Sequence, residues 1–111
     1  CRIVINPDTA KAQIEGGILF GLSAALAEEI TLKSGAVVQQ NFHDYPLLRL
    51  SDAPAVEVEF ITSTAPPGGL GEPGTPPIAA ALVNAVFAAT GMRVRALPLA
   101  ASAATLSAKS S

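Results

Sequence analysis

Cysteine and histidine each occur once, at Cys1 and His43, so neither a disulfide framework nor a protein-held zinc or iron-sulfur centre can be assembled from this chain alone. Any metal the chain serves must be held by something else. Charge is scarce too: charged residues make up 14% of the 111 positions, the net charge is -2, and Lys and Arg form no cluster. That leaves no electrostatic footprint for nucleic acid or an anionic membrane surface. Long apolar runs are also missing. The most apolar stretch, residues 16–27 (GGILFGLSAALA), falls short of the about 20 residues needed to span a bilayer. Its SAALA end resembles a leader-peptide cleavage site, but Asp8 and Glu15 stand where a basic region would be needed. No transmembrane segment is expected, and cytoplasm and periplasm both remain open as compartments.

What is present in excess is apolar surface. Half of the residues are hydrophobic, more than so few polar side chains can cover in a chain long enough for one domain and too short for two. A larger host or a partner is therefore expected. The opening β-branched run, residues 2–5 (RIVI), reads as part of a strand with no turn before it, which also suits a fragment.

Asn6-Pro7-Asp8-Thr9 is a turn into a helix over about residues 9–29, with Asp8 or Thr9 as N-cap and Ile14, Ile18, Leu22 and Leu26 at helical spacing. Gln13, Gly17 and Gly21 share one face of it. With Gly16, the glycines cost about 3 kcal/mol of helix propensity relative to alanine, which calls for close packing against something. Residues 30–33 and 36–40, joined at Ser34-Gly35, read as a hairpin. Residues 41–54 read as a loop with one short extended piece, and Val56, Glu57, Val58, Glu59 and Phe60 alternate as a half-buried strand. A second helix starts with Thr75 as cap and Pro76 and Pro77 in its first positions, and ends at Gly91. Its nearly all-apolar body asks to be buried on most faces. Residues 93–97 alternate like a last strand, and residues 100–111 read as a disordered tail of small side chains. The expected fold class is α+β, two main helices packed on a mixed β-sheet.

Between strand and second helix lies PPGGLGEPGTPP, residues 66–77, in which Glu72 is the single ionisable side chain. Prolines stiffen this loop and glycines give it unusual turns, so it reads as a device for holding one carboxylate. In an otherwise uncharged loop leading into a buried helix, that carboxylate is expected to be partly desolvated, which raises its pKa toward the range useful for a general base. The bland alternative is a solvated loop carboxylate.

Gly69, Gly71 and Gly74 also satisfy G-x-G-x-x-G. A dinucleotide turn is disfavoured, because Pro73, Pro76 and Pro77 remove N–H donors a pyrophosphate needs and no acidic residue follows Glu72 to take a ribose hydroxyl. His43 and Asp44 beside Tyr45 suggest a catalytic pair, but neighbours on a strand point to opposite faces, which favours structural or substrate-lining roles. Gln13, on the glycine face, is either a solvated helix residue or a hydrogen-bonding group for a flat ligand.

Taken together, AQIEGGILFGLSAALAEEI, NFHDYPLLRL and GGLGEPGTPPIAAALVNAVFAATGMRVRALPL resemble the C-terminal end of the molybdopterin-binding subunit of molybdenum hydroxylases. The family is that of xanthine dehydrogenase and aldehyde oxidase, with isoquinoline 1-oxidoreductase-like and membrane-bound aldehyde dehydrogenase-like large subunits as the nearest flavour. The likeness covers residues 1–99, and its anchors are Q-x-E-G at Gln13 to Gly16 and G-E-P at Gly71 to Pro73.

The resemblance implies an oxidoreductase that hydroxylates an N-heterocycle or oxidises an aldehyde using water. In it Glu72 is the catalytic general base, and Gln13, Leu70 and Gly71 bind the cofactor. That cofactor is a molybdenum-pterin, molybdopterin as the cytosine dinucleotide, whose own dithiolene holds the metal, so no protein metal ligand is expected here. Implied partners are the remainder of the molybdopterin-binding subunit, a small subunit carrying 2Fe-2S clusters and a small-molecule substrate, with no nucleic acid. A chain of this length supplies the base and part of the cofactor wall and does not turn over by itself. The competing class is a non-catalytic structural or interaction domain with an exposed Pro/Gly docking loop.

Overall fold

Asn6, and not Asp8 or Thr9, starts the first helix in the computed structural model, which describes residues 3–101. Helix α1 spans Pro7–Leu26. The Asn6 side-chain oxygen accepts from the Thr9 amide at 3.1 Å, while Pro7 takes the first helical position, where its missing N–H costs nothing. The expected start was two residues late because Pro7 was read as part of the turn and not as helix. Helix α1 also ends three residues early: beyond the cap at Ala27 the chain turns so that Glu28 reaches the Tyr45 hydroxyl.

The hairpin forms where Ser34-Gly35 placed it. Strands β1 (Leu32–Lys33) and β2 (Ala36–Val37) pair antiparallel, with Leu32 opposite Val37. The turn residues Ser34 and Gly35 both have positive φ, 51° and 80°, as a two-residue turn matched to strand twist requires. The outer parts of the expected arms are tied by a side chain: Gln39 Oε1 accepts from the Thr31 amide at 2.8 Å, and Gln39 Nε2 donates to Thr31 Oγ1 at 3.0 Å.

Residues 53–62 form no ladder among the described residues. The alternation holds, with Val56, Val58 and Phe60 half-buried and Glu57 and Glu59 exposed. Residues 92–95 are likewise unladdered. The sheet among the described residues is therefore the small antiparallel hairpin, and the main helices pack on each other more than on a sheet. A strand pattern records which side chains want burial but not which backbone completes the ladder.

Helix α2 spans Pro77–Thr90 and is closed by Gly91 in the left-handed conformation, φ 73°. That stop was legible in the sequence. None of its residues is fully buried. No large hydrophobic side chain is fully buried among the described residues, while Phe20, Phe42, Leu50 and Ile61 stand largely exposed. No helix among the described residues is long and apolar enough to cross a membrane. Of the expected tail, residues 102–111 lie outside the described residues, as do Cys1 and Arg2.

Candidate functional site

The loop carrying Glu72 is fastened to the glycine face of α1. An ideal Cβ built on Gly21 would lie 2.8 Å from the Thr75 carbonyl oxygen, and one on Gly74 would lie 3.0 Å from the carbonyl oxygen of Ile14 and 3.3 Å from the amide nitrogen of Ile18. Neither position has room for a side chain, and Gly74 is buried. The propensity cost of Gly21 is thus offset by letting two backbone segments meet, whereas a Cβ on Gly17 would make ordinary contact, 3.4 Å from Thr75 Oγ1. Gly16 faces open space in this chain.

Two side-chain bonds complete the attachment. Gln13 Nε2 donates to the Gly71 carbonyl at 2.7 Å, and Thr75 Oγ1 donates to the Gly17 carbonyl at 3.1 Å. Within the loop the Thr75 amide donates to the Glu72 carbonyl at 3.0 Å. Glu72 is therefore bracketed by contacts to α1 at residue 71 on one side and at residues 74 and 75 on the other. A held carboxylate was expected; what the contacts hold is the loop backbone on either side of Glu72, and α1 does this together with the prolines. The expectation of partial desolvation is not met by this chain, since Glu72 is exposed.

Thr75 corrects a second expectation. It was read as the N-cap of α2, yet the cap position is Pro76 and the Thr75 hydroxyl points to α1. The reason is legible afterwards. Pro76 and Pro77 have no N–H, so a capping oxygen at residue 75 has few donors to satisfy, and the hydroxyl serves better as a donor to Gly17. A potential cap followed by two prolines is the sequence signal that was missed.

Gln13, Leu70 and Gly71, all read as cofactor-binding candidates, come together. With Gly68, Asn6 and Thr9 they line one open cleft of about 400 Å³. Gln13 and Gly71 also border a neighbouring recess of about 300 Å³ with Gly17 and Phe20. The amide of Gln13 is thus engaged by loop backbone. Added Cβ atoms at Gly69 and Gly71 would meet nothing within 4 Å, so a flat group can approach the loop backbone there.

The segment holding His43, Asp44 and Tyr45 lies elsewhere. Asp44 accepts from the amides of Gln40 at 2.9 Å and Asn41 at 2.7 Å, and these bonds, first the one from Gln40, hold its carboxyl below the usual carboxylate range. Its carboxylate is committed to a turn, and His43 beside it is exposed. Ser23, buried on α1 and overlooked in the sequence, accepts from the Leu48 amide through Oγ at 2.9 Å. Tyr45 donates to Glu28 Oε2 at 2.8 Å. Together with Phe20, Leu48 and Arg49 these residues line a second cleft, of about 590 Å³.

The bond to Glu28, aided by desolvation, raises the Tyr45 phenol above its ordinary value. The linked stability is fully present below the unfolded phenol's pKa and is lost as pH rises through the higher folded one. Tyr45→Phe should therefore lower the apparent Tm of the protein at neutral pH, and the gap to wild type should close in strongly alkaline buffer. A constant gap across that range, read by thermal unfolding in a pH series, would exclude this linkage.

Among the described residues, no three or more His, Cys, Asp or Glu side chains gather where they could hold a metal ion. A sequence profile described as the molybdopterin cofactor-binding domain matches residues 1–54. The membrane-bound aldehyde dehydrogenase [pyrroloquinoline-quinone] of Gluconacetobacter polyoxogenes is 46% identical over 96 residues, covering 86% of this chain and 12% of that protein. Isoquinoline 1-oxidoreductase subunit beta of Brevundimonas diminuta is 41% identical over 97 residues, 87% of this chain and 12% of its own length. In three dimensions the chain resembles the crystal structure of quinoline 2-oxidoreductase from Pseudomonas putida 86, with a TM-score of 0.72 and 28% identity over 89% of this chain and 14% of that one. The chain thus spans about an eighth of the length of the relatives it matches.

Proposed function

Because the chain belongs to the molybdopterin-binding subunits of the xanthine dehydrogenase and aldehyde oxidase family, we propose that its loop at residues 66–77 supplies the general base of a molybdenum hydroxylase. On this reading residues 1–99 are a C-terminal segment of the molybdopterin-binding domain, which works with the rest of that subunit and a 2Fe-2S subunit. The substrate is an N-heterocycle or an aldehyde, the classes named among the relatives. The observation that carries the proposal is the bracketing of Glu72, whose neighbours on both sides are bonded to or packed against α1.

The residues present fit a pterin. Gln13, Leu70 and Gly71 form one wall of an open cleft, Gly69 and Gly71 leave the backbone approachable by a flat ring, and no protein metal ligand is needed where a dithiolene holds the metal. When bound, as the cytosine dinucleotide on our reading, the group supplies the redox chemistry. This chain's own contribution is threefold: Leu70 adds apolar contact, Gln13 fixes the Gly71 peptide, and the Glu72 carboxylate holds or passes on a proton at its oxygen atoms.

The test is cofactor content. Purified with its neighbours, the assembly should contain molybdenum and an organic pterin in near-equimolar amounts, read by metal analysis and by fluorescence of the oxidised pterin. An assembly that instead contains pyrroloquinoline quinone, or a stable cofactor-free chain whose 65–77 loop is readily cut by protease, would overturn the proposal. The latter result would favour a docking segment.

A further inference from the structure

We propose that Thr75 is a positioning residue for Glu72, an inference that rests on the general-base reading above. The Thr75 hydroxyl donates to the Gly17 carbonyl across 58 residues of sequence, at 3.1 Å and half-buried. Its own amide donates to the Glu72 carbonyl at 3.0 Å. One residue therefore joins α1 to the peptide of the base, through one side-chain bond and one backbone bond.

The opposite anchor, Gln13 to Gly71, cannot fix the loop by itself. A chain pinned at residue 71 alone can still rotate about the bonds of residue 72, whereas pinning at both 71 and 75 fixes the direction in which Glu72 leaves the backbone. The buried Gly74, in contact with Ile14 and Ile18, removes the remaining slack. Threonine suits the position because Pro76 and Pro77 offer no N–H to compete for its hydroxyl. A side chain acting this way works through the loop backbone.

Thr75→Val keeps the shape and removes the donor, and Thr75→Ser keeps the donor. In the assembled, cofactor-loaded enzyme, Thr75→Val should lower kcat about tenfold, with KM and molybdenum content near wild type, because a misplaced base affects the chemical step and not ground-state binding. Thr75→Ser should restore most of the rate. Hydrogen exchange of the 66–77 peptide in the same samples should be faster in the valine variant and return toward wild type in the serine variant, a readout independent of turnover. Unchanged exchange in Thr75→Val would overturn the anchor. Faster exchange with unchanged kcat would overturn its role in positioning. Glu72→Gln in the same series separates the two readings: if that variant turns over normally, the base assignment fails, whatever the exchange data show about the anchor.

Discussion

Replacing Glu72 by glutamine should lower turnover of the assembled enzyme by about 10²- to 10⁴-fold, the range a positioned general base contributes, while leaving molybdenum and pterin content unchanged. Glutamine has nearly the same shape and keeps one carbonyl oxygen, but at neutral pH it accepts no proton. The anchors of the loop do not involve the Glu72 side chain: they run through the Gly71 carbonyl, the Glu72 carbonyl, Gly74 and the Thr75 hydroxyl. The variant should therefore keep its fold and the cleft lined by Gln13, Leu70 and Gly71, and KM should change far less than kcat. Steady-state kinetics beside metal analysis decides the matter. Turnover within a fewfold of wild type would remove Glu72 from the chemistry, and loss of molybdenum would move it from base to cofactor support.

The same loop shows which parts of the structure were legible in the residue order. Local signals read well: the Ser34-Gly35 turn, the Gly91 stop of α2, and the alternation from Val56 to Phe60 all appear where backbone preference and period placed them. Each depends on a few neighbouring residues. The candidates Gln13, Leu70 and Gly71 were singled out separately, and the structure brings them to one cleft. What the sequence did not show is how they are joined. Gln13 was read as either a solvated helix residue or a hydrogen-bonding group for a flat ligand, and its amide donates to the Gly71 carbonyl. Thr75 was read as a cap, yet it reaches α1. Both bonds span 58 residues of sequence, and nothing in a linear pattern selects the carbonyl that will lie opposite a given donor. Burial was misjudged for a related reason. Glu72 and the apolar faces of α2 were expected to be covered, and in a chain that matches only about an eighth of its relatives' length a pattern can record the demand for burial without containing the surface that meets it.

Gly21→Ala should destabilise the assembled enzyme even though alanine is the better helix former by about 0.8–1 kcal/mol. The added methyl would lie 2.8 Å from the Thr75 carbonyl oxygen and 3.4 Å from the Ile78 Cβ. The first neighbour is backbone and cannot rotate away, so α1 and the loop must separate by several tenths of an ångström. Overpacking of this kind costs about 1–3 kcal/mol, enough to outweigh the propensity gain. The same movement would stretch the Thr75 to Gly17 bond one helical turn away and shift Glu72 with it. The expected result is an apparent Tm several degrees below wild type together with a loss of kcat larger than that of Thr75→Val.

Gly16→Ala is the internal control. A Cβ there meets nothing within 4 Å in this chain, so helix propensity alone should raise Tm slightly and leave kcat unaltered. If Gly16→Ala proved as damaging as Gly21→Ala in the assembled enzyme, the face of α1 at Gly16 would be packed against the remainder of the subunit. If Gly21→Ala proved harmless, the close approach of α1 to the loop would be wrong, and the bracketing of Glu72 would fall with it.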